Sequence, residues 1–269
     1  MTSDSTTQTN SQTSTTFYFA VTLPLCWLCL LMPTLATYGV LPGPASQYMM
    51  LAPIAVFSPT IAALLATRRE SGREGMRALL RGLKNWNVHP GWYLLALILP
   101  GLMYTAARIV YALIPGNQGD APWIGLPMTP EQLAGLILVP IGEEIGWRGY
   151  ALPRLQKRYG SFKASMILGV LWALWHIPML LIAGMKLPVM LLMLVSFVPG
   201  SLYFTWFYNR TNRSTLLAVL LHVGTHADAP TNVVPETMTS ILIYTLGIFG
   251  AATLMYLLDR RAFVGPEKE

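Results

Sequence analysis

About eight apolar segments follow one another along this chain of 269 residues, each close to the ~20 residues that a helix needs to cross a bilayer core. They run over residues 17–38, 48–67, 91–113, 129–152, 163–183, 187–208, 214–229 and 238–258. Hydrophobic residues make up 54% of the chain and charged residues only 11%, whereas a soluble domain carries roughly 25% charged residues. The pattern predicts an all-α fold, namely a polytopic membrane bundle of about eight transmembrane helices.

Lysine and arginine residues cluster in alternate loops, after the second, fourth, sixth and eighth segments. By the positive-inside rule, this places both termini in the cytoplasm, and the plan suits a protein of the plasma membrane. Residues 71–84 of the first basic loop read "SGREGMRALLRGLK", with apolar side chains opposite the arginines. This pattern predicts a short amphipathic helix in contact with membrane lipids of the inner leaflet. Residues 1–16 are rich in Ser, Thr and Gln, which predicts a disordered polar tail.

Two classes of function gain no support from the sequence. The net charge of +6 comes from basic residues that are spread over several loops. Because these residues form no patch interleaved with aromatic side chains, we expect no nucleic-acid partner. The sequence also shows no internal repeat, which is the hallmark of the inverted-repeat architecture of many transporters.

Several ionisable residues lie inside the apolar segments, where a charge near the bilayer centre costs about 3 to more than 10 kcal/mol. Those at comparable depth are Glu143, Glu144, Arg148, His176, His222 and His226. At 1.5 Å per residue, Glu143, His176 and His222 lie about 16, 20 and 12 Å from the cytoplasmic ends of their helices, and His226 about 18 Å. Ionisable groups in a membrane face the bundle interior and pair with one another. We therefore predict one shared site on three helices.

Spacing suggests different roles for these residues. Glu144 and Arg148 are four residues apart and lie on one helix face, where they can form an ion pair. Glu143 is rotated from Glu144 by roughly 100° around the helix, so one glutamate is neutralised and the other is left for chemistry. A glutamate near an imidazole can act as a general base on water, although Glu143 could instead be a second partner of Arg148. His222 and His226 could stabilise an oxyanion or complete a metal site.

Three motifs carry a resemblance to a known family. Residues 143–148 read "EEIGWR", residues 172–178 read "WALWHIP", and residues 212–226 read "NRSTLLAVLLHVGTH". In this order they resemble the CPBP family of intramembrane proteases, whose pattern is EExxxR, then FxxxH, then HxxxN or a variant. The family includes the type II CAAX prenyl endopeptidases and the Abi bacteriocin-immunity proteins. Trp172 stands where the family has Phe, and His226 stands where it has Asn.

The resemblance implies an intramembrane endopeptidase that acts on a membrane-associated protein or peptide. In one branch of the family the substrate is a prenylated CAAX protein, and in another it is a bacterial peptide or signalling partner. By position, Glu143 resembles the base that activates water with the help of His176. Glu144 and Arg148 resemble the orienting ion pair, and His222 and residue 226 resemble the pair that stabilises the oxyanion. These six are the candidate catalytic residues.

The departure at residue 226 keeps a metal-dependent alternative open. Glu143, His176, His222 and His226 could together supply the ligands of a Zn²⁺ ion. We favour a reaction that requires no cofactor, with Zn²⁺ as the alternative. On this basis the chain divides into a polar tail at 1–16, N-terminal transmembrane helices at 17–124, a CAAX-protease-like membrane domain at 125–258 and a short cytoplasmic tail at 259–269.

Two other classes of function remain as alternatives to proteolysis. A proton-coupled transporter also buries Glu, Arg and His side chains across several membrane helices. A non-catalytic immunity or binding protein could keep the same residues without any need for turnover. The first alternative predicts proton-linked flux, and the second predicts that the biological role survives the loss of Glu143.

Overall fold

The computed structural model describes residues 2–116, 129–226 and 237–264, with side chains from residue 14 onward, and the regular structure in these ranges is helical. The helices are α1 (Thr2–Cys29), α2 (Leu31–Thr37), α3 (Ala52–Arg81), α4 (Gly91–Ala112), α5 (Pro130–Glu144), α6 (Leu152–Ile182), α7 (Leu187–Arg210), α8 (Thr215–His226) and α9 (Met238–Leu258). A π-helical segment, Ile145–Ala151, joins α5 to α6. The predicted all-α bundle is therefore confirmed.

Each predicted apolar segment coincides with a helix. Within the described residues, five helical stretches are long and apolar enough to cross a membrane, namely Ala45–Lys84, Gly91–Ala112, Pro130–Ile182, Leu187–Arg210 and Met238–Leu258. The pair Ser14–Cys29 and Leu31–Thr37, bent by 43°, makes a sixth if it is counted as one span. The stretch Pro130–Ile182 has 53 residues, which is too long for one crossing of a bilayer core, and its non-helical backbone at Gly160, with φ 74° and ψ 163°, separates the fourth predicted segment from the fifth.

The seventh predicted segment is shorter than expected within the described part of the chain. Helix α8 has 12 residues, which is too few to cross a bilayer core of ~30 Å at 1.5 Å per residue. The end of that segment, residues 227–229, lies outside the described residues. Although it is short, helix α8 brings His222 and His226 among the other helices.

The N-terminal part of the chain adds two details to the prediction. Helix α1 begins at Thr2, so the backbone of residues 2–16, most of the polar segment, is helical. Helix α3 is broken at Gly72, where φ is 60° and ψ is −149°, close to the predicted start of the amphipathic segment. The boundary at residue 125 and the tail residues 265–269 lie outside the described residues. The division of the chain into four units stays a prediction.

Glycines let the helices that carry the site approach their neighbours closely, as small residues do in membrane bundles. A Cβ atom added at Gly146 in the π-helical segment would lie 2.4 Å from the carbonyl carbon of Pro59 in α3. At Gly224 in α8 it would lie 2.5 Å from the carbonyl oxygen of Ala96 in α4. These contacts fix α8 and the π-helical segment against the N-terminal helices.

Gly146→Ala is expected to lower the stability of the protein by about 1–3 kcal/mol, because a side chain here requires the backbone of α3 to move. The measurement is denaturant unfolding of the purified protein in micelles. Gly135→Ala in α5 is the matched control, since an added Cβ there meets nothing within 4 Å. Equal stability of the two variants would contradict the close contact between the π-helical segment and α3.

Candidate active site

The structure brings the predicted acidic, basic and imidazole residues together where α5, the π-helical segment and α8 meet. Glu143 and Glu144 end α5, and Arg148 lies one turn further in the π-helical segment. Their exposed fractions are 2%, 0% and 0%, and His222 in α8 is 4% exposed. π-Helical turns inside α-helices occur frequently at functional sites. Four of the six residues that depth along the helices predicted to meet therefore lie in one buried cluster.

Glu144 is the centre of this cluster. Its Oε1 atom accepts a hydrogen bond of 2.8 Å from Arg148 Nη1. The same oxygen lies 2.8 Å from Nδ1 of His222 on the facing helix. Because a carboxylate only accepts, His222 Nδ1 must carry the proton of this bond. The predicted ion pair of Glu144 and Arg148 is thus present, and it also fixes the ring of His222.

The Nε2 atoms of His222 and His226 face each other. The two Nε2 atoms are 3.1 Å apart, and the rings stack with centroids 4.9 Å apart. When both rings are neutral, His222 carries its proton on Nδ1, so its Nε2 accepts from the Nε2–H group of His226. The result is one hydrogen-bonded chain from Arg148 through Glu144 and His222 to His226.

Glu143 has a different environment from Glu144. Its Oε2 atom accepts a hydrogen bond of 2.8 Å from the indole Nε1 of Trp172 in α6. Glu143 forms no ion pair with Arg148 among the described residues, so it is not the second partner that sequence spacing left open. The two adjacent glutamates are therefore unequal, as their angular separation on the helix predicted.

His176 lies on α6, one turn after Trp172, and its Nδ1 atom donates to the Trp172 carbonyl at 2.9 Å. The ring packs at 4.2 Å between centroids against Phe197 of α7. With Nδ1 protonated, the neutral ring presents Nε2 as its acceptor. Among the described residues His176 forms no direct hydrogen bond to Glu143, so their predicted cooperation would act through a group between them.

Arg148 is held by aromatic faces as well as by its partner. Its Cζ atom lies 4.4 Å from the ring centroid of Trp172 and 4.2 Å from that of Phe204 in α7. Cation–π contacts of this kind contribute about 2 kcal/mol or more when both groups are desolvated. Nε and Nη2 have no hydrogen-bond partner within the described part of the chain. The aromatic faces therefore supply much of the stabilisation that water would otherwise give to this guanidinium group.

The ligand set for a metal ion differs from the predicted one. Glu143, Glu144 and His222 each offer a ligand atom within 4.8 Å of the others, whereas the prediction named His176 and His226 in place of Glu144. Three protein ligands are the usual number in a catalytic zinc site. Here, however, Arg148 already binds the Glu144 carboxylate, and its positive charge opposes a cation at this position. The arrangement fits an ion-paired cluster better than a metal centre.

Two residues of this site, Trp172 and Phe204, were not predicted from the sequence. Trp172 was noted only as a replacement for Phe, and Phe204 was not singled out. An indole N–H group in a buried apolar helix needs an acceptor, so the motif "WALWH" could have predicted that Trp172 donates to a polar residue of the site. Phe204 carried none, since nothing in the sequence distinguishes it from the other apolar residues of α7.

Together, the helices and the buried cluster define an integral, multi-pass membrane protein with carboxylate, guanidinium and imidazole groups in its interior. Residues 125–227, which contain all six predicted site residues, match the family model described as Type II CAAX prenyl endopeptidase Rce1-like. The chain is also similar to "CAAX prenyl protease 2" of Methanococcus maripaludis, with 31% identity over 136 residues. This similarity covers 48% of the chain and 49% of that protein, so the chain matches about half of the relative's length. The resemblance predicted from the three motifs is thereby confirmed.

Proposed function

We propose that the protein is an intramembrane endopeptidase that hydrolyses a peptide bond in a membrane-associated protein or peptide. The observation that carries this proposal is the pair of unequal glutamates within the Rce1-like region. Glu144 is held by Arg148 and His222, whereas Glu143 has a single hydrogen-bond partner among the residues that the structure describes, the indole of Trp172. A buried carboxylate without a charged partner is a suitable general base.

In the proposed reaction, Glu143 takes a proton from water through the oxygen that does not bind Trp172. The resulting hydroxide attacks the peptide carbonyl, and Nε2 of His176 accepts a hydrogen bond that orients the water. The C–N bond then breaks as Glu143 returns the proton to the leaving amine, which is the usual exchange of roles between base and acid. No step requires a metal ion or another cofactor.

The pair of His222 and His226 is proposed to stabilise the oxyanion that forms during the attack. In the resting pair the Nε2–H group of His226 donates to His222 Nε2, and in the proposed reaction it turns from that nitrogen to the oxyanion. Removal of one oxyanion donor typically lowers kcat by about 10²–10³-fold. Glu144 fixes the ring of His222 at Nδ1, so the donor pair is oriented before substrate binds.

His226→Asn is expected to keep kcat within about tenfold of wild type, because an amide also donates and accepts hydrogen bonds. His226→Leu, which removes both capacities, is expected to lower kcat by about 10²–10³-fold. The measurement is cleavage of an internally quenched peptide ending in a prenylated CAAX sequence by purified protein. Equal loss of activity in the two variants would contradict a donor role for residue 226.

The proposed substrate is a membrane-bound protein or peptide, and the relative's name suggests a prenylated C terminus as the first one to try. We place the protein in the plasma membrane with both termini in the cytoplasm, because basic residues favour the loops on that side. The substrate segment would then enter from the cytoplasmic face, where membrane lipids also contact the amphipathic segment 71–84.

The experiment that tests the proposal compares cells that carry wild-type protein with cells that carry Glu143→Ala. Mass spectrometry of membrane peptides should find at least one cleavage product that only the wild-type cells contain. Full biological complementation by Glu143→Ala, without any such product, would favour the non-catalytic immunity or binding role. Proton-linked flux in reconstituted vesicles would favour a transporter.

A further inference from the structure

Trp172 connects the two residues that are proposed to activate water. Its indole N–H group donates to Glu143 Oε2 at 2.8 Å, and its main-chain carbonyl accepts from His176 Nδ1 at 2.9 Å. A phenylalanine, the family residue at this position, could make the second contact but not the first. We infer that Trp172 is a positioning residue that holds the carboxylate of Glu143 for catalysis. This inference rests on the proposed function.

The indole ring is itself held from several sides, which makes it a rigid donor. It is 6% exposed. The Arg148 guanidinium group lies over its face, and the rings of Phe197 and Phe204 pack edge-on at 5.1 and 5.5 Å between centroids. The ring of His222 lies at 5.9 Å. The indole therefore touches both halves of the site, the ion-paired cluster and the proposed base.

The hydrogen bond from Trp172 makes the two oxygens of Glu143 unequal. Oε2 is occupied by the indole, so Oε1 is the oxygen that can receive a proton from water. On α6, protonation of His176 at Nδ1 leaves Nε2 as its acceptor. One residue thus selects which atom of each partner faces the reaction. A catalytic group that is already held in its reactive orientation lowers the entropic part of the activation barrier.

Trp172→Phe tests the inference because it keeps an aromatic ring beside Arg148 and removes only the donor and the second ring. Loss of this hydrogen bond to a charged group is expected to lower kcat by about 10- to 100-fold and to change KM by less than about twofold. The substrate is the quenched prenylated CAAX peptide. A role in packing alone would instead lower stability and leave kcat of the folded fraction unchanged.

Trp206→Phe in α7 is the matched control. Trp206 is half-buried, and its Nε1 atom donates to Asp259 Oδ2 at 2.9 Å, so the change also removes an indole hydrogen bond to a carboxylate. Its replacement is expected to lower stability but to leave kcat within about threefold of wild type. Wild-type kcat in Trp172→Phe, together with an inactive Glu143→Gln variant, would overturn the inference and leave the proposed function standing. Wild-type kcat in Glu143→Gln would overturn the proposed function instead.

A second readout does not depend on activity. The indole N–H resonance of Trp172 in full-length protein can be assigned from its absence in Trp172→Phe. In Glu143→Leu, which cannot accept a hydrogen bond, this resonance is expected to move upfield, whereas Glu131→Leu at the start of α5 should leave it in place. An unchanged resonance in Glu143→Leu would show that the indole does not bind this carboxylate and would overturn the inference.

Discussion

Glu143→Gln is expected to lower kcat for peptide cleavage by about 10²–10⁴-fold, the usual contribution of a general base. The amide has nearly the shape of the carboxylate, and its oxygen can still accept the hydrogen bond from Trp172. It cannot take a proton from water, so only the chemical step is lost. The measurement is single-turnover cleavage of the quenched prenylated CAAX peptide by purified protein, normalised to the folded fraction.

Glu144→Gln is the matched control, since it makes the same chemical change at the neighbouring residue. The amide oxygen can still accept from Arg148 and from His222, so the rings and the guanidinium group keep their places. We expect kcat to remain well above that of Glu143→Gln and stability to fall, because the charge of Arg148 loses its partner. A stable and inactive Glu144→Gln variant beside an active Glu143→Gln variant would exchange the two roles.

The position of the site could be predicted from the sequence because it follows from distances along helices. A rise of 1.5 Å per residue sets the depth of Glu143, His176 and His222 once the helix ends are known. The ends are marked by basic residues, and the cost of an unpaired charge in a membrane requires such groups to meet. These physical rules need no knowledge of how the helices are rotated.

The pairing inside the site could not be predicted, because it depends on rotation. Depth placed His222 beside the glutamates but did not say which of them it would contact, and the structure chooses Glu144. The π-helical segment Ile145–Ala151 differs from an α-helix in the spacing of its backbone hydrogen bonds, which hydropathy does not reveal. Nor did the sequence show that Nδ1 of His176 binds the Trp172 carbonyl, which leaves Nε2 as the acceptor of this ring.

The number of membrane crossings illustrates a related limit of hydropathy. Apolar segments were found at every helix, and the non-helical backbone at Gly160 separates the fourth predicted segment from the fifth within the stretch Pro130–Ile182. The side chains of the short helix α8 are apolar because most of them are buried among other helices. Apolar composition therefore reports an apolar environment, whether lipid or protein supplies it, and does not separate the two.

The stability of the bundle should depend strongly on Arg148. Arg148→Met is expected to lower the free energy of unfolding by about 3–5 kcal/mol, because Glu144 is left as a buried charge without its partner. Methionine fills much of the space between Trp172 and Phe204, so the loss of packing is small beside the loss of the ion pair. The measurement is denaturant unfolding in micelles, with wild type and each variant under the same conditions.

The double variant Glu144→Gln/Arg148→Met separates the charge effect from packing. It removes both charges and keeps an acceptor for His222, so it should be more stable than Arg148→Met alone. Residues in direct contact show such non-additivity, whereas independent residues add within about 0.3–0.5 kcal/mol. Additive losses in the double variant would mean that the two charges do not stabilise each other. In that case Glu144 would need another partner, and the assignment of Glu143 as the free glutamate would lose its structural basis.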